Sequence, residues 1–156
     1  MPLSSAEPES PRVYIVDDEW IIAETLATIL NRNGFRATPF HNSSQALVRA
    51  LGAPPDVLIT DVMMPGMSGI ELAIALRRAG LDCRIFLFSG QTGAVDLVSE
   101  ASRRGFDFDL LDKPLHPLQL LMRLRNLTRR APQTPATSPA DTTARPEPDS
   151  GSQPAA

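Results

Sequence analysis

Apolar residues recur along this chain in two alternating rhythms. Short runs of strand length, with β-branched or large apolar side chains, stand at Arg12–Val16, Phe35–Phe40, Val57–Thr60, Arg84–Phe88 and Phe106–Leu111. Between them, apolar residues fall at helical spacing: Ile22, Leu26, Ile29 and Leu30; Ala46, Leu47, Ala50 and Leu51; Ile70, Ala73 and Ile74, in line with Arg77; and Val95, Leu97, Val98 and Ala101 over about 92–104. Asn33-Gly34, Gly52 with Pro54-Pro55, Gly80 and Gly105 stop these helices. Asn42-Ser43-Ser44-Gln45 caps the second, and Ser68-Gly69-Ile70-Glu71 opens the third with an S-x-x-E capping box. A fifth helix starts near Pro117, where a missing N–H costs nothing, and runs to about Arg130.

Five strands alternating with five helices predict βαβ units, a parallel sheet, and an α/β doubly wound (βα)5 sandwich. The third strand is continuously apolar, as expected of one buried on both faces. The second is more polar and carries Pro39, which lacks a ladder donor and is therefore expected at a sheet edge. Residues 1–11, with three prolines and three serines, read as a flexible leader, and 12–130 as the folded domain. Residues 131–156 are rich in Pro, Thr, Ser and Ala without apolar periodicity, and are expected to be disordered. No output domain is expected after the fifth helix.

Charge and composition narrow the picture. A net charge of −3 gives no general pull toward nucleic acid or an anionic membrane. No apolar run approaches the roughly 18 residues of a spanning helix, and the acidic, Pro/Ser-rich start is unlike a signal peptide, so the expected compartment is cytoplasmic. The single cysteine, Cys83, opens an apolar strand and reads as a small packed residue. Trp20 likewise reads as a packed helix residue. His41 and His116 each precede a helix start, where a cap or solvated loop accounts for them. Arg123, Arg125, Arg129 and Arg130 suit the C-terminal dipole of the last helix. Of 15 Lys and Arg residues only Lys113 is a lysine, which suggests that a compact ammonium is needed there.

Parallel strands place all five carboxyl ends on one rim, where open α/β sheets bind ligands. Asp17 and Asp18 follow the first strand, Asp61 the third, Ser89 the fourth and Lys113 the fifth. Converging carboxylates repel and raise one another's pKa values unless a cation neutralises them. Oxygen-only ligands select a hard ion, and Mg2+ suits a site with two or three carboxylates. A lysine and a hydroxyl beside such an ion suit a bound phosphate.

These residues lie within Val16-Asp17-Asp18-Glu19, Ile59 to Gly69, Phe88-Ser89-Gly90 and Asp112-Lys113-Pro114. In them, and over about Arg12–Arg130, the chain resembles the receiver domains of two-component response regulators. The resemblance implies a flavodoxin-like sheet of order 2-1-3-4-5, an order for which a chemotaxis receiver is a standard example. It implies a stand-alone signalling receiver, not an enzyme. Asp61 would accept a phosphoryl group from a sensor histidine kinase or a histidine phosphotransfer protein. Asp18, Asp61 and the main-chain carbonyl of Met63 would ligate Mg2+ directly, and Asp17 largely through water. Ser89 would hydrogen-bond the phosphoryl group, and Lys113 would pair with it.

The pattern also departs from the family. An aromatic residue usually stands three positions before the lysine; Leu110 stands there, and Phe108 is the candidate to replace it. Gly90 leaves the roof of the site open, and Met63 and Gln91 flank the path of an attacking water that an apolar Met63 cannot position. A phosphatase using aspartyl-phosphate chemistry would need an acid/base Asp two residues after the nucleophile, where Met63 stands. A degenerate, non-phosphorylated scaffold is disfavoured by the presence of all five rim residues.

The fifth helix carries Leu118, Leu120, Leu121, Met122, Leu124 and Leu127 over an arc of about 220°, wider than the ~100° stripe of a one-sided helix. If Leu120, Leu124 and Leu127 face the sheet, as the resemblance implies, Leu118 and Met122 lie toward solvent beside Arg125 and Arg129. The face of the fourth helix, fifth strand and fifth helix is therefore expected to bind a downstream protein target or a second copy.

Overall fold

A computed structural model describes residues 9–90 and 92–129. The elements follow in the order β1 (Arg12–Val16), α1 (Trp20–Arg32), β2 (Arg36–Phe40), α2 (Ser43–Gly52), β3 (Val57–Asp61), α3 (Gly69–Arg78), β4 (Arg84–Ser89), α4 (Gly93–Arg103), β5 (Asp109–Asp112) and α5 (Pro117–Arg129). The sheet is parallel, with strand order β2-β1-β3-β4-β5, as the resemblance implies. β2 is an edge, and Pro39 lies there opposite Ile15.

The period of two along each strand splits the core into two layers. Val13, Ile15, Val57, Ile59, Phe86 and Phe88 point to one side, onto Ala23, Leu26, Ala27 and Leu30 of α1 and Leu120, Leu121 and Leu124 of α5. Tyr14, Val16, Leu58, Ile85 and Leu87 point to the other, onto α2, α3 and α4. Each large side chain buried this way contributes about 1.5–3 kcal/mol. Both helix starts read from the sequence are made as expected. Asn42 accepts the Gln45 N–H at 2.9 Å, and Ser68 and Glu71 form the reciprocal capping box.

Some expectations need correction. β5 begins at Asp109, not at Phe106. The Phe106 N–H is taken by the Ala101 carbonyl at the end of α4, and the Phe106 and Phe108 rings stack 6.5 Å apart against the α3/α4 side of the core. Their apolarity serves packing and not a ladder. In α4, Ala94 and Ala101 are buried and Val98 partly so, whereas Val95 and Leu97 face outward at 56% and 44% exposure. Small residues let α4 approach the sheet, which leaves the bulkier pair on its flanks. Trp20 is exposed, not packed: it opens α1 just past the end of β1, beyond the strands that cover Ala23 and Leu26. Cys83 is buried, as expected, and burial pushes its thiol pKa up against the pull of Arg77.

Residues 1–8 of the leader, the segment 130–156 and Gln91 lie outside the described residues, as do the side chains of Thr128 and Arg129. Glu9, Ser10 and Pro11 rest on Arg36, which bonds the Ser10 carbonyl and pairs with Glu9. Among the described residues, no helix is long and apolar enough to cross a membrane.

Candidate functional site

The sheet delivers the rim residues by register. Asp61 closes β3 opposite Phe88, Ser89 closes β4 opposite Asp112, and the Lys113 N–H extends the ladder to the Ser89 carbonyl at 3.2 Å. In the loop after β1, Asp17 is wholly buried and its Oδ1 accepts the Glu19 N–H at 2.9 Å. Asp18, beside it, is exposed. Asp17, Asp18 and Asp61 each bring one carboxylate oxygen within 4.8 Å of the others.

Lys113 reaches into this cluster. Its Nζ donates to Asp61 Oδ2 at 3.0 Å, stands 3.7 Å from Asp17 Oδ2 and lies 4.9 Å from the centre of the Phe88 ring. Asp61 Oδ1 accepts the Met63 N–H at 3.3 Å. Met63 itself is half exposed at the mouth of the site. Asp61 and Ser89 are both buried. All five expected rim residues thus stand on one rim.

Electrostatics follow from this packing. Burial raises the Asp17 pKa to about 6 from the ordinary 3.8, against the Glu19 N–H and Lys113, with Asp61 and Asp18 adding to the rise. Burial alone would lower Lys113, but its bond to Asp61 and the nearby carboxylates of Asp17, Asp61 and Glu19 outweigh it, so the ammonium is held above its usual range. One lysine faces three carboxylates. Asp17 Oδ2 is buried and accepts no hydrogen bond. An oxygen-only set with a surplus of negative charge and an orphaned buried acceptor fits a hard divalent cation such as Mg2+.

The same site gives a role to two residues, Phe88 and Thr60, that stand in the matching motifs but to which the sequence assigns none. Phe88 supplies the ring under Lys113, a cation–π contact of about 0.5–2 kcal/mol. Its signal was an aromatic residue directly before Ser89. Thr60, wholly buried, donates from Oγ1 to the Asp61 carbonyl at 3.1 Å; its signal was a lone hydroxyl in an apolar strand. Phe108 lies before the first residue of β5, lining a cavity of about 150 Å3 with Arg77, Arg84 and Asp109, while Leu110 pairs with Leu87 inside the sheet. A Cβ on Gly90 would make ordinary contact with the Lys113 stem at 3.5 Å, so Gly90 lies against that stem. His41 is held 3.5 Å from Glu24, and His116 is exposed before α5.

Residues 13–125 match the family model of the response regulator receiver domain. The chain belongs to that family. As a receiver it is 34% identical over 125 residues to the DNA-binding response regulator MtrA of Mycolicibacterium smegmatis, covering 80% of this chain and 54% of that protein. The chain therefore spans about half the length of the curated relatives it matches. Among solved structures, the receiver domain of the Francisella response regulator 1452 superposes with a TM-score of 0.68 at 28% identity, covering 78% of this chain and 98% of that one. The chemotaxis protein CheY4 of Vibrio cholerae gives 0.67 at 28% identity, covering 75% and 98%. Receivers of this family work in phosphorylation-dependent two-component signalling, and they bind Mg2+ at an acidic pocket where this chain has Asp17, Asp18 and Asp61.

Proposed function

We propose that this receiver takes a phosphoryl group onto Asp61 from a phosphohistidine of a sensor histidine kinase or a histidine phosphotransfer protein. An Asp61 carboxylate oxygen attacks phosphorus, the P–N bond breaks, and the imidazole nitrogen leaves with the electron pair and takes up a proton. Transfer of this kind asks the protein mainly for positioning and charge neutralisation. The observation that carries the reading is Lys113 Nζ at 3.0 Å from Asp61 Oδ2, inside a carboxylate trio that keeps a buried oxygen without a donor.

Asp18, Asp61 and the Met63 main-chain carbonyl would hold Mg2+, with Asp17 acting through water; when bound, the ion neutralises charge on the phosphoryl oxygens. Lys113 moves from its pair with Asp61 to pair with the phosphoryl group, and the Ser89 hydroxyl hydrogen-bonds it. Met63 offers no acid or base to hydrolyse the product, so the chain acts as a signalling module and not as an enzyme. Its site of action is the cytoplasm.

The signal leaves through the face of α4, β5 and α5. Leu118 and Met122 stand 64% and 65% exposed there, with Val95 and Leu97 outward on α4, while Leu120 and Leu124 are buried beneath. A downstream protein or a second copy is the partner, and nucleic acid is not contacted by this domain. Incubation with Mg2+ and an acyl phosphate, followed by intact-mass measurement, should show one phosphoryl group in wild type and none in Asp61→Asn. Equal labelling of the two proteins would remove Asp61 as the acceptor.

A further inference from the structure

The start of α3 bears directly on the main chain of Asp61. Gly69, the first residue of the helix, is buried, and its N–H donates to the Val62 carbonyl at 3.0 Å. A Cβ built on Gly69 would fall inside the Asp61 carbonyl oxygen, 2.8 Å from the Asp61 carbonyl carbon and 3.0 Å from Thr60 Oγ1. No other described glycine has backbone so close. Gly34, Gly52, Gly66, Gly80, Gly93 and Gly105 have nothing within 4 Å, and Gly90 meets only the flexible stem of Lys113.

Neither side of this contact can retreat. The capping box of Ser68 and Glu71 holds the helix start, and Leu72, Ala73 and Leu76 are fully buried behind it. On the strand side, the Val62 N–H is bonded to the Phe88 carbonyl at 3.1 Å, and Thr60 Oγ1 donates to the same Asp61 carbonyl that Gly69 covers. Asp61 then presents its carboxylate to Lys113 and to the Met63 N–H.

We infer that Gly69 and the Thr60 hydroxyl are positioning residues for Asp61, acting through its main-chain carbonyl. This rests on the reading of Asp61 as the phosphoryl acceptor. Any side chain at 69 drives the Asp61 peptide away from α3, and the carboxylate leaves its alignment with Lys113, Asp17 and Asp18. A displacement near 1 Å is enough to cost on the order of 10²-fold in rate. Loss of the Thr60 hydroxyl frees the carbonyl without moving it, and the effect is smaller.

The test compares the wild-type chain of residues 1–156 with Gly69→Ala, Thr60→Val, Thr60→Ser and, as a helical glycine with open space, Gly52→Ala. Mg2+ affinity and stoichiometry are measured by titration calorimetry, and the initial rate of labelling is measured with an acyl phosphate. Gly69→Ala is expected to weaken Mg2+ about ten-fold at unchanged stoichiometry and to slow labelling at saturating Mg2+ by on the order of 10²-fold. Thr60→Val should weaken Mg2+ a few-fold, while Thr60→Ser and Gly52→Ala should match wild type. A purely structural role would lower the stoichiometry with the folded fraction and leave Kd unchanged, and that result overturns the inference. Should Gly69→Ala fail to fold, wild-type affinity and rate in Thr60→Val overturn it equally. Wild type that binds Mg2+ but takes no phosphoryl group overturns the proposed function instead, and the Mg2+ comparison still decides the positioning.

Discussion

Asp17 and Lys113 form an ion pair without a hydrogen bond. The ammonium stands 3.7 Å from Asp17 Oδ2 because it spends its shorter contact, 3.0 Å, on Asp61. Asp17 is thereby a buried carboxylate with one oxygen unsatisfied, and its pKa of about 6 follows mainly from burial. The folded chain holds that proton up to about pH 6, whereas the unfolded chain releases it near 3.8. Folding therefore loses stability from this group as pH rises through that window, by up to about 3 kcal/mol above it. Asp17→Asn should raise the melting temperature of the metal-free protein at pH 7.5 by at least a few degrees, and the gain should vanish near pH 4. A melting curve series across this range, with and without Mg2+, checks both; Mg2+ should stabilise wild type far more than the variant.

Lys113 is expected to tolerate neither loss nor exchange. Lys113→Met leaves three carboxylates facing one another and removes the partner of the phosphoryl group, so labelling by an acyl phosphate should fall at least ten-fold. Lys113→Arg keeps the charge, but a bulkier planar fork does not fit the place of a compact ammonium set 3.0 Å from Asp61 Oδ2 and 3.7 Å from Asp17 Oδ2. Its labelling rate should stay nearer to that of the methionine variant than to wild type. Stopped time courses at matched Mg2+ decide it.

The two faces of α5 should separate cleanly in stability. Leu124 has no exposed surface and packs between α1 and the sheet, so Leu124→Ala should cost about 2–5 kcal/mol. Met122, on the opposite face at 65% exposure, should change stability by no more than about 0.5 kcal/mol when cut to alanine. Urea unfolding of both variants at one pH measures the contrast.

The outward residues should matter for association instead. Sedimentation with and without beryllofluoride, a phosphoryl mimic, should show stronger self-association of the mimic-bound wild type. Leu118→Asp/Met122→Asp should remove the increase. Pull-down with a cognate target tests the hetero-partner branch with the same pair of proteins. Wild-type behaviour of the double variant in both assays would move the signalling face elsewhere.

Much of this arrangement is legible before any coordinates. The β3 run ends in Asp61 because a continuous apolar strand must meet a polar residue where it leaves the core, and Ser68 with Glu71 announces the helix that follows. Strand order came from the resemblance, since periodicity alone does not rank five similar strands. What escaped were places where apolar residues serve something other than their nearest periodic pattern. Phe106 and Phe108 look like a strand but pack on α3 and α4. Val95 and Leu97 look like a buried stripe but yield the close approach to Ala94 and Ala101. Trp20 looks like core but stands past the end of the strands. Each depends on what lies opposite in space, which spacing does not encode.

The outer strands of the sheet also bear on how the protein behaves when crowded. β2 lies at one edge, where Asn31 bonds both the N–H and the carbonyl of Ala37 and Pro39, the fourth residue of the strand, lacks a donor; β5, at the other, is four residues long with an aspartate at each end, one of them tied to Arg84 at 2.7 Å. A missing donor on one side and a short charged stub on the other leave little for a foreign strand to zip onto. A chain whose proposed role is to gather partners at one apolar face would otherwise risk runaway sheet-to-sheet polymerisation each time two copies met, and these borders confine association to side chains.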